Sequence, residues 1–243
     1  MEFGIELEIR SGAHKVLGDL YRSGDASDNH YHDYHCRCPN CNPERKDVSF
    51  FAQKDCTVAG EIISTIMEYG SPRHLEAVEK LSAAMLRNRA TTVGDTGLHV
   101  HVSRADFTTR RQDRILHRLM SRYHTELEEI AAGPHPAVRG YNPKPHPASA
   151  IVWSGSDIPD CGGWLRKTEK PTYEFRLWNS TRVAWRINLA IGLSVAMTKA
   201  ALDRADTTGP NDSRPIEAIL APYLDNVTWA GILRQRYYKG GLA

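Results

Sequence analysis

Between Phe3 and Arg10 the chain alternates without a break: Phe3, Ile5, Leu7 and Ile9 are apolar, while Gly4, Glu6, Glu8 and Arg10 are not. Strand side chains point to opposite faces with a period of two, so this segment is a strand with one apolar face and two carboxylates on the other. The pattern returns twice. Leu98, Val100 and Val102 alternate with His99, His101 and Ser103, and Tyr173, Phe175 and Leu177 alternate with Glu174, Arg176 and Trp178. A fourth strand is expected over Thr57–Ser64, with Val58, Ile62 and Ile63 around Glu61. Each of the four presents a polar or ionisable set opposite its apolar residues, and helices are expected between them.

Those helices are legible. Ser71-Pro72 is a start signal, a Ser cap followed by Pro in the first turn, ahead of Leu75, Val78, Leu81 and Met85. Ile115, Leu116, Leu119, Met120, Tyr123, Leu127 and Ile130 predict one long amphipathic helix, ended by Gly133-Pro134. Val183–Ala205 is the most apolar helix, and the tail from Pro215 reads as one or two short ones. Ala150–Trp153 is expected to be a short strand. From about Gly18 to Lys46 the chain is polar and without period, which predicts a His/Cys-rich inserted loop at about 18–50. Composition does not shift enough to divide the 243 residues, so residues 1–243 are expected to form a single domain.

Thirty-one Lys and Arg against 29 Asp and Glu give a formal charge of only +2, too balanced for a nucleic-acid coat or a polybasic membrane binder. No stretch approaches the roughly 20 apolar residues of a membrane span, and Met1–Glu6 lacks the basic and apolar regions of a signal peptide. With five cysteines, an odd number, the expectation is a cytoplasmic protein whose thiols stay reduced or bind metal.

Alternate residues on one strand face lie about 6.5–7 Å apart. A pair such as Glu6 and Glu8 can therefore hold two cations, or share one. If the four strands join one sheet, Glu6, Glu8, Glu61, His99, His101, Glu174 and Arg176 converge. Hard carboxylate oxygens with one or two imidazoles suit Mg²⁺ or Mn²⁺, and a fork-shaped Arg suits phosphate oxygens. Each piece alone has a plainer explanation: Glu-x-Glu as a solvated face, His-x-His as structure, Glu174-x-Arg176 as a surface ion pair.

The ordered set resembles a known family. Phe3-Gly4-Ile5-Glu6-Leu7-Glu8 looks like the opening strand of the amidoligases, relatives of glutamine synthetase and glutamate–cysteine ligase. Asp55-Cys56-Thr57 with Gly60-Glu61-Ile62-Ile63-Ser64 is similar to that family's Asp-x-Ser and Glu-Ile-x-Ser segments. Gly97-Leu98-His99-Val100-His101 matches its Gly-x-His-Val-His motif. Arg139-Gly140-Tyr141-Asn142 looks like its Arg-Tyr-Asn segment, and Glu174-Phe175-Arg176 with Asn179 and Thr181 matches Glu-Phe-Arg-x-x-Asn-x-Thr. The resemblance covers roughly residues 3 to 200.

It implies an α+β fold of the glutamine synthetase type, an antiparallel half-barrel funnel with helices on its outer face. The implied activity is an ATP-dependent carboxylate–amine ligase working through an acyl phosphate. Carried over by residue, Glu6, Glu8, Glu61, His99 and Glu174 would be ligands of two or more Mg²⁺ or Mn²⁺ ions. Arg176 would contact the transferring phosphoryl group, His101 and Arg139 would lie at the nucleotide, and Asp55 would orient or deprotonate the amine. The substrates would be a small-molecule or peptide carboxylate and an amine. A metal-dependent hydrolase is the rival enzyme, since His-x-His with carboxylates also activates water. A non-catalytic, zinc-stapled binding protein on the same fold is the third reading.

His30, His32, His35, Cys36, Cys38 and Cys41 fall within twelve residues. Cys36, Cys38 and Cys41 supply three candidate ligands for one structural Zn²⁺, with His35, His30, His32 or Cys56 as the fourth. Cys161, in Asp160-Cys161-Gly162-Gly163, reads as a turn residue.

Overall fold

The computed structural model describes residues 1–33, 38–54, 60–92, 96–131, 165–168, 170–203 and 214–240. Asp55, Cys56, Arg139, His35, Cys36, Cys161 and the expected strand at Ala150–Trp153 lie outside them.

Among the described residues, seven strands form one antiparallel sheet. They are β1 (Glu2–Ile9), β2 (Phe50–Gln53), β3 (Gly60–Ser64), β4 (Met67–Glu68), β5 (Gly97–Ser103), β6 (Leu165–Lys167) and β7 (Thr172–Asn179). The order is β2-β3-β1-β5-β7-β6, with the short β4 pairing to the start of β1. The four strands expected from alternation are therefore neighbours, β3-β1-β5-β7, although they are far apart in the chain.

Seven α-helices among the described residues accompany the sheet: α1 (Ala13–Arg22), α2 (Pro72–Arg87), α3 (Arg110–Arg122), α4 (His124–Ala131), α5 (Ala184–Leu202), α6 (Ile216–Leu220) and α7 (Asn226–Gly240). Phe3, Ile5, Leu7 and Ile9 of β1, Leu98, Val100 and Val102 of β5, and Tyr173 and Phe175 of β7 are all buried in the core. The core also takes the apolar sides of α1, α2, α3 and α5. The arrangement is α+β, with the apolar strand faces and the helices sharing one core.

Local chemistry sets the helix ends. Ser71 Oγ accepts the His74 N–H at the start of α2, with Pro72 in the first turn. Thr109 and Gln112 close a reciprocal capping box on α3. α5 is buried from Ile187 to Thr198 and runs against β5, and Trp178 Nε1 of β7 donates to its Ser194 Oγ at 3.0 Å. Gly192 is required there: a Cβ would stand 1.8 Å from Thr228 Oγ1 of α7. No described helix is long and apolar enough to cross a membrane.

Three expectations are corrected. The helix expected through Ile130 breaks at Tyr123, whose backbone leaves helical geometry and whose hydroxyl donates to Arg214 O at 3.2 Å. The chain restarts as α4 with Leu127 still buried, so the apolar spacing survives the break. The stretch assigned to a loop from about Gly18 begins inside α1, which runs to Arg22. Trp178, placed by alternation on the polar face with Glu174 and Arg176, lies instead in the core, because the pairing of β5 with β7 shifts register between Leu98 and Val100.

Candidate functional site

The polar face is assembled by strand register. Glu6 of β1 lies opposite His99 of β5, Glu8 opposite Glu61 of β3, and His101 opposite Glu174 of β7. Directly opposed side chains have Cβ atoms about 4.5–5.5 Å apart, so these three pairs bring six ionisable groups together. His101 faces Gly4 across β1, which has no side chain to compete for the space. A bulge in the β5–β7 pairing between Leu98 and Val100 falls at His99.

Carboxylates surround the imidazoles. His99 Nδ1 is 3.5 Å from Glu6 Oε2 and 3.4 Å from Glu174 Oε1, and its Nε2 is 3.6 Å from Glu8 Oε1. His101 Nε2 is 3.2 Å from Glu6 Oε1. Burial pushes the Glu6 carboxyl up, but His101 and His99 together outweigh it and hold Glu6 well below the usual carboxylate range. Burial likewise opposes protonation of His101. Glu6 and Glu174 overcome it and raise the imidazole, against the charge of Lys170. Arg176 Nε lies 3.3 Å from Glu174 Oε1, at the more exposed end of the group.

Glu8, Glu61, His99 and Glu174 are all buried. Four carboxylates in so small a volume repel one another unless cations compensate them. The Nε2 atoms of both His99 and His101 are buried without a hydrogen-bond partner, although carboxylate oxygens stand 3.2–3.6 Å away. Adjacent ligands of an octahedral ion with bonds of about 2.1 Å are about 3 Å apart, close to these spacings. Two trios have donor atoms within 4.8 Å of one another: Glu6 with Glu61 and His99, and Glu6 with His101 and Glu174. Glu6 belongs to both. The donor set fits divalent cations, and Glu6 would be available to either trio.

Glu8 stands outside both trios. One of its oxygens accepts the Gly97 N–H at 2.5 Å while the other faces His99 Nε2. At 3.6 Å, with no hydrogen bond at His99 Nε2, it stands beside the imidazole as a further carboxylate. Gly97 leaves the room for it: a Cβ there would lie 3.0 Å from His99 Nε2 and 3.5 Å from Glu8 Oε2.

Of the other sequence candidates, Asp55 and Arg139 fall outside the described residues. Cys38 and Cys41 come together on the far side of β2, and the imidazole beside them is His32. Sequence reasoning missed Gln53 and Arg166. Gln53 of β2 is the register partner of Glu61, and Arg166 of β6 is that of Glu174. Arg166 thus brings a second guanidinium to the edge where Arg176 lies. Its strand is three residues long, too short to show a period.

No protein-family model matches the sequence, and no curated protein matches it. Among solved structures, the chain is similar to one in the crystal structure of the complex between prokaryotic ubiquitin-like protein Pup and its ligase PafA. The TM-score is 0.36 and the identity 11%, over 92% of this chain and 51% of the other. The chain spans about half the length of the structure it matches.

Proposed function

We propose that this chain is an ATP-dependent carboxylate–amine ligase of the glutamine synthetase-like type. The observation that carries the reading is Glu6: a single carboxylate shared by two trios of potential cation ligands, with Arg176 beside them. The sequence resemblance across residues 3 to 200 supports the same activity.

In this reading Glu6, Glu61, His99 and Glu174 hold Mg²⁺ or Mn²⁺. Glu8 stands beside His99, and His101 lies toward the nucleotide. When bound, the cations neutralise charge on the phosphate oxygens of ATP. A substrate carboxylate attacks the γ-phosphorus, ADP leaves, and an acyl phosphate forms. An amine then attacks the acyl carbon, phosphate departs, and the amide remains. Arg176, with Arg166 nearby on the same face, stabilises the phosphoryl oxygens as they pass between donor and acceptor. Asp55 and Arg139 take the roles that the resemblance gives them, at the amine and the nucleotide.

The test is ADP release with Mg²⁺ across pooled carboxylates and amines, with each pool deconvoluted in turn. Turnover that needs ATP, an acid and an amine supports the ligase. Metal-dependent turnover without nucleotide identifies a hydrolase. Absence of both turnover and nucleotide binding identifies a binding protein.

A further inference from the structure

The cysteine-bearing loop brings three potential metal ligands together across β2 from the Glu6 group. Cys38 precedes a 3₁₀ turn, Pro39–Cys41, which ends at the second cysteine, and the Cys41 N–H donates to Cys38 O at 3.1 Å. The turn brings Cys38 Sγ and Cys41 Sγ within 4.8 Å of each other. Neither is in a disulfide. His32 completes a group whose ligand atoms lie within 4.8 Å of one another.

The orientation of His32 is the second observation. Its Nε2 is 2.6 Å from Asp28 Oδ2. An ionised carboxylate only accepts, so Nε2 is the donor to Asp28, and in the neutral ring Nδ1 is then the nitrogen that faces the thiols. Nδ1 is 3.5 Å from Cys38 Sγ. In a tetrahedral zinc site, with Zn–S about 2.3 Å and Zn–N about 2.0–2.1 Å, the S···N edge is about 3.5 Å. Asp28 is itself fixed, by the Asn40 Nδ2 amide at 2.9 Å and the His30 N–H at 3.0 Å. A carboxylate that fixes the tautomer of a histidine facing thiols is the usual outer support of a zinc ligand.

We infer that His32 Nδ1, Cys38 Sγ and Cys41 Sγ supply three of the four ligands of one Zn²⁺, with Asp28 as the orienting carboxylate. The metal joins the turn at Cys38–Cys41 to the segment lying along β2, the edge strand. Along that edge Ala26 bridges Phe50 and His32 bridges Gln53, both in parallel, and the Lys54 N–H donates to His32 O at 2.8 Å. Zinc thereby fastens the segment that already covers this edge. It also steadies Gln53, the neighbour of Glu61. The inference does not depend on the ligase reading.

The experiment is metal analysis of protein purified without chelator, together with cobalt titration of the zinc-stripped wild type. The expected content is about one zinc per chain, and the cobalt form should show thiolate-to-metal charge transfer with the intense visible bands of a tetrahedral ion. Cys38→Ser with Cys41→Ser should abolish both signals. Asp28→Asn should retain the charge-transfer bands with affinity roughly 10- to 100-fold weaker. Glu6→Gln should leave the zinc in place. If the double variant fails to fold, the wild-type cobalt spectrum decides: thiolate bands support the site, and their absence overturns it. Folded wild type that takes up no zinc would also overturn it, as would zinc lost in Glu6→Gln but kept in the double cysteine variant.

Discussion

Glu6 of β1 and His99 of β5 are register partners on adjacent antiparallel strands, and Glu6 Oε2 stands 3.5 Å from His99 Nδ1. The pair sits at the centre of the polar face because β1 and β5 are the middle strands of the sheet. Its other neighbours come from the flanking strands, Glu61 from β3 and Glu174 from β7.

The sharing of Glu6 predicts an asymmetry among carboxylate variants. Glu61→Gln and Glu174→Gln each remove a ligand from one trio, whereas Glu6→Gln removes one from both. Titration with Mn²⁺, followed by water-proton relaxation, should show one weakened class of site in either outer variant and two in Glu6→Gln. The loss should exceed the roughly 10- to 100-fold drop that outer-shell partners cause. Equal effects from all three variants would show that Glu6 does not serve both trios.

Gly97 offers a gentler perturbation. Its N–H fixes Glu8, and an added methyl would lie 3.0 Å from His99 Nε2 and 3.3 Å from His99 Cδ2. A contact that tight pushes the imidazole aside by a few tenths of an ångström. Gly97→Ala should therefore weaken Mn²⁺ binding by roughly tenfold while the melting temperature moves little. Unaltered binding in a folded Gly97→Ala protein would show that the position of His99 does not matter to cation binding.

The site was legible in the sequence to the extent that it follows strand period. β1 and β5 alternate over eight and seven residues and β7 as far as Arg176, so their polar sets could be read before any pairing was known. What the period does not carry is who pairs with whom. Glu6 and Glu8 look equivalent along β1, yet Glu8 is captured by the amide of Gly97, 89 residues away. The bulge at His99 is likewise a property of two strands together. Short elements were hidden for another reason. α1 buries Ala13, Val16, Leu17 and Leu20 at helical spacing, but it spans only ten residues and has Gly12 before it and Gly18 within it. Gly12 has a φ of +83° and a Cβ there would press on Ala90, so its purpose is a turn the local sequence does not disclose. Arg166 and Gln53 sit in strands of three and four residues, where no alternation can be established.

Acid sensitivity follows from two buried histidines on the helical side. Burial pushes His74 down from 6.5 to about 4, against smaller opposing effects of Asn188 and Asp225. Burial, with help from Lys167, does the same to His117, also to about 4. A histidine whose folded value lies below its unfolded value takes up protons preferentially in the unfolded chain. Stability is therefore lost as pH falls from about 6.5 toward about 4, by at most roughly 3 kcal/mol for each residue. Urea midpoints should drop across that window, and His74→Asn should flatten the slope by about half of the histidine contribution. A midpoint that holds constant from pH 7 to 4.5 would show that these imidazoles are not kept neutral by the fold.

Arg176 bears most directly on the chemistry. It shares a strand with Glu174, its Nε is 3.3 Å from Glu174 Oε1, and it is partly exposed, so the fork can turn toward a substrate without leaving its partner. As a surface ion pair the contact would contribute little to stability. As a clamp on the transferring phosphoryl group, its interaction strengthens as charge spreads over the oxygens. Removing it should then lower kcat more than it raises KM. Arg176→Ala should reduce ADP release by roughly two to three orders of magnitude. Arg176→Lys should recover only part of that, because an ammonium cannot make the two-pronged contact. ATP affinity, measured by calorimetry on the same proteins, should fall much less, since the cation ligands are untouched. Loss of ATP binding in folded Arg176→Ala would make Arg176 a ground-state anchor of the nucleotide. Unchanged turnover would reduce Glu174 and Arg176 to a surface pair, and would leave the phosphoryl group to Arg166, the other guanidinium that strand register brings to this edge.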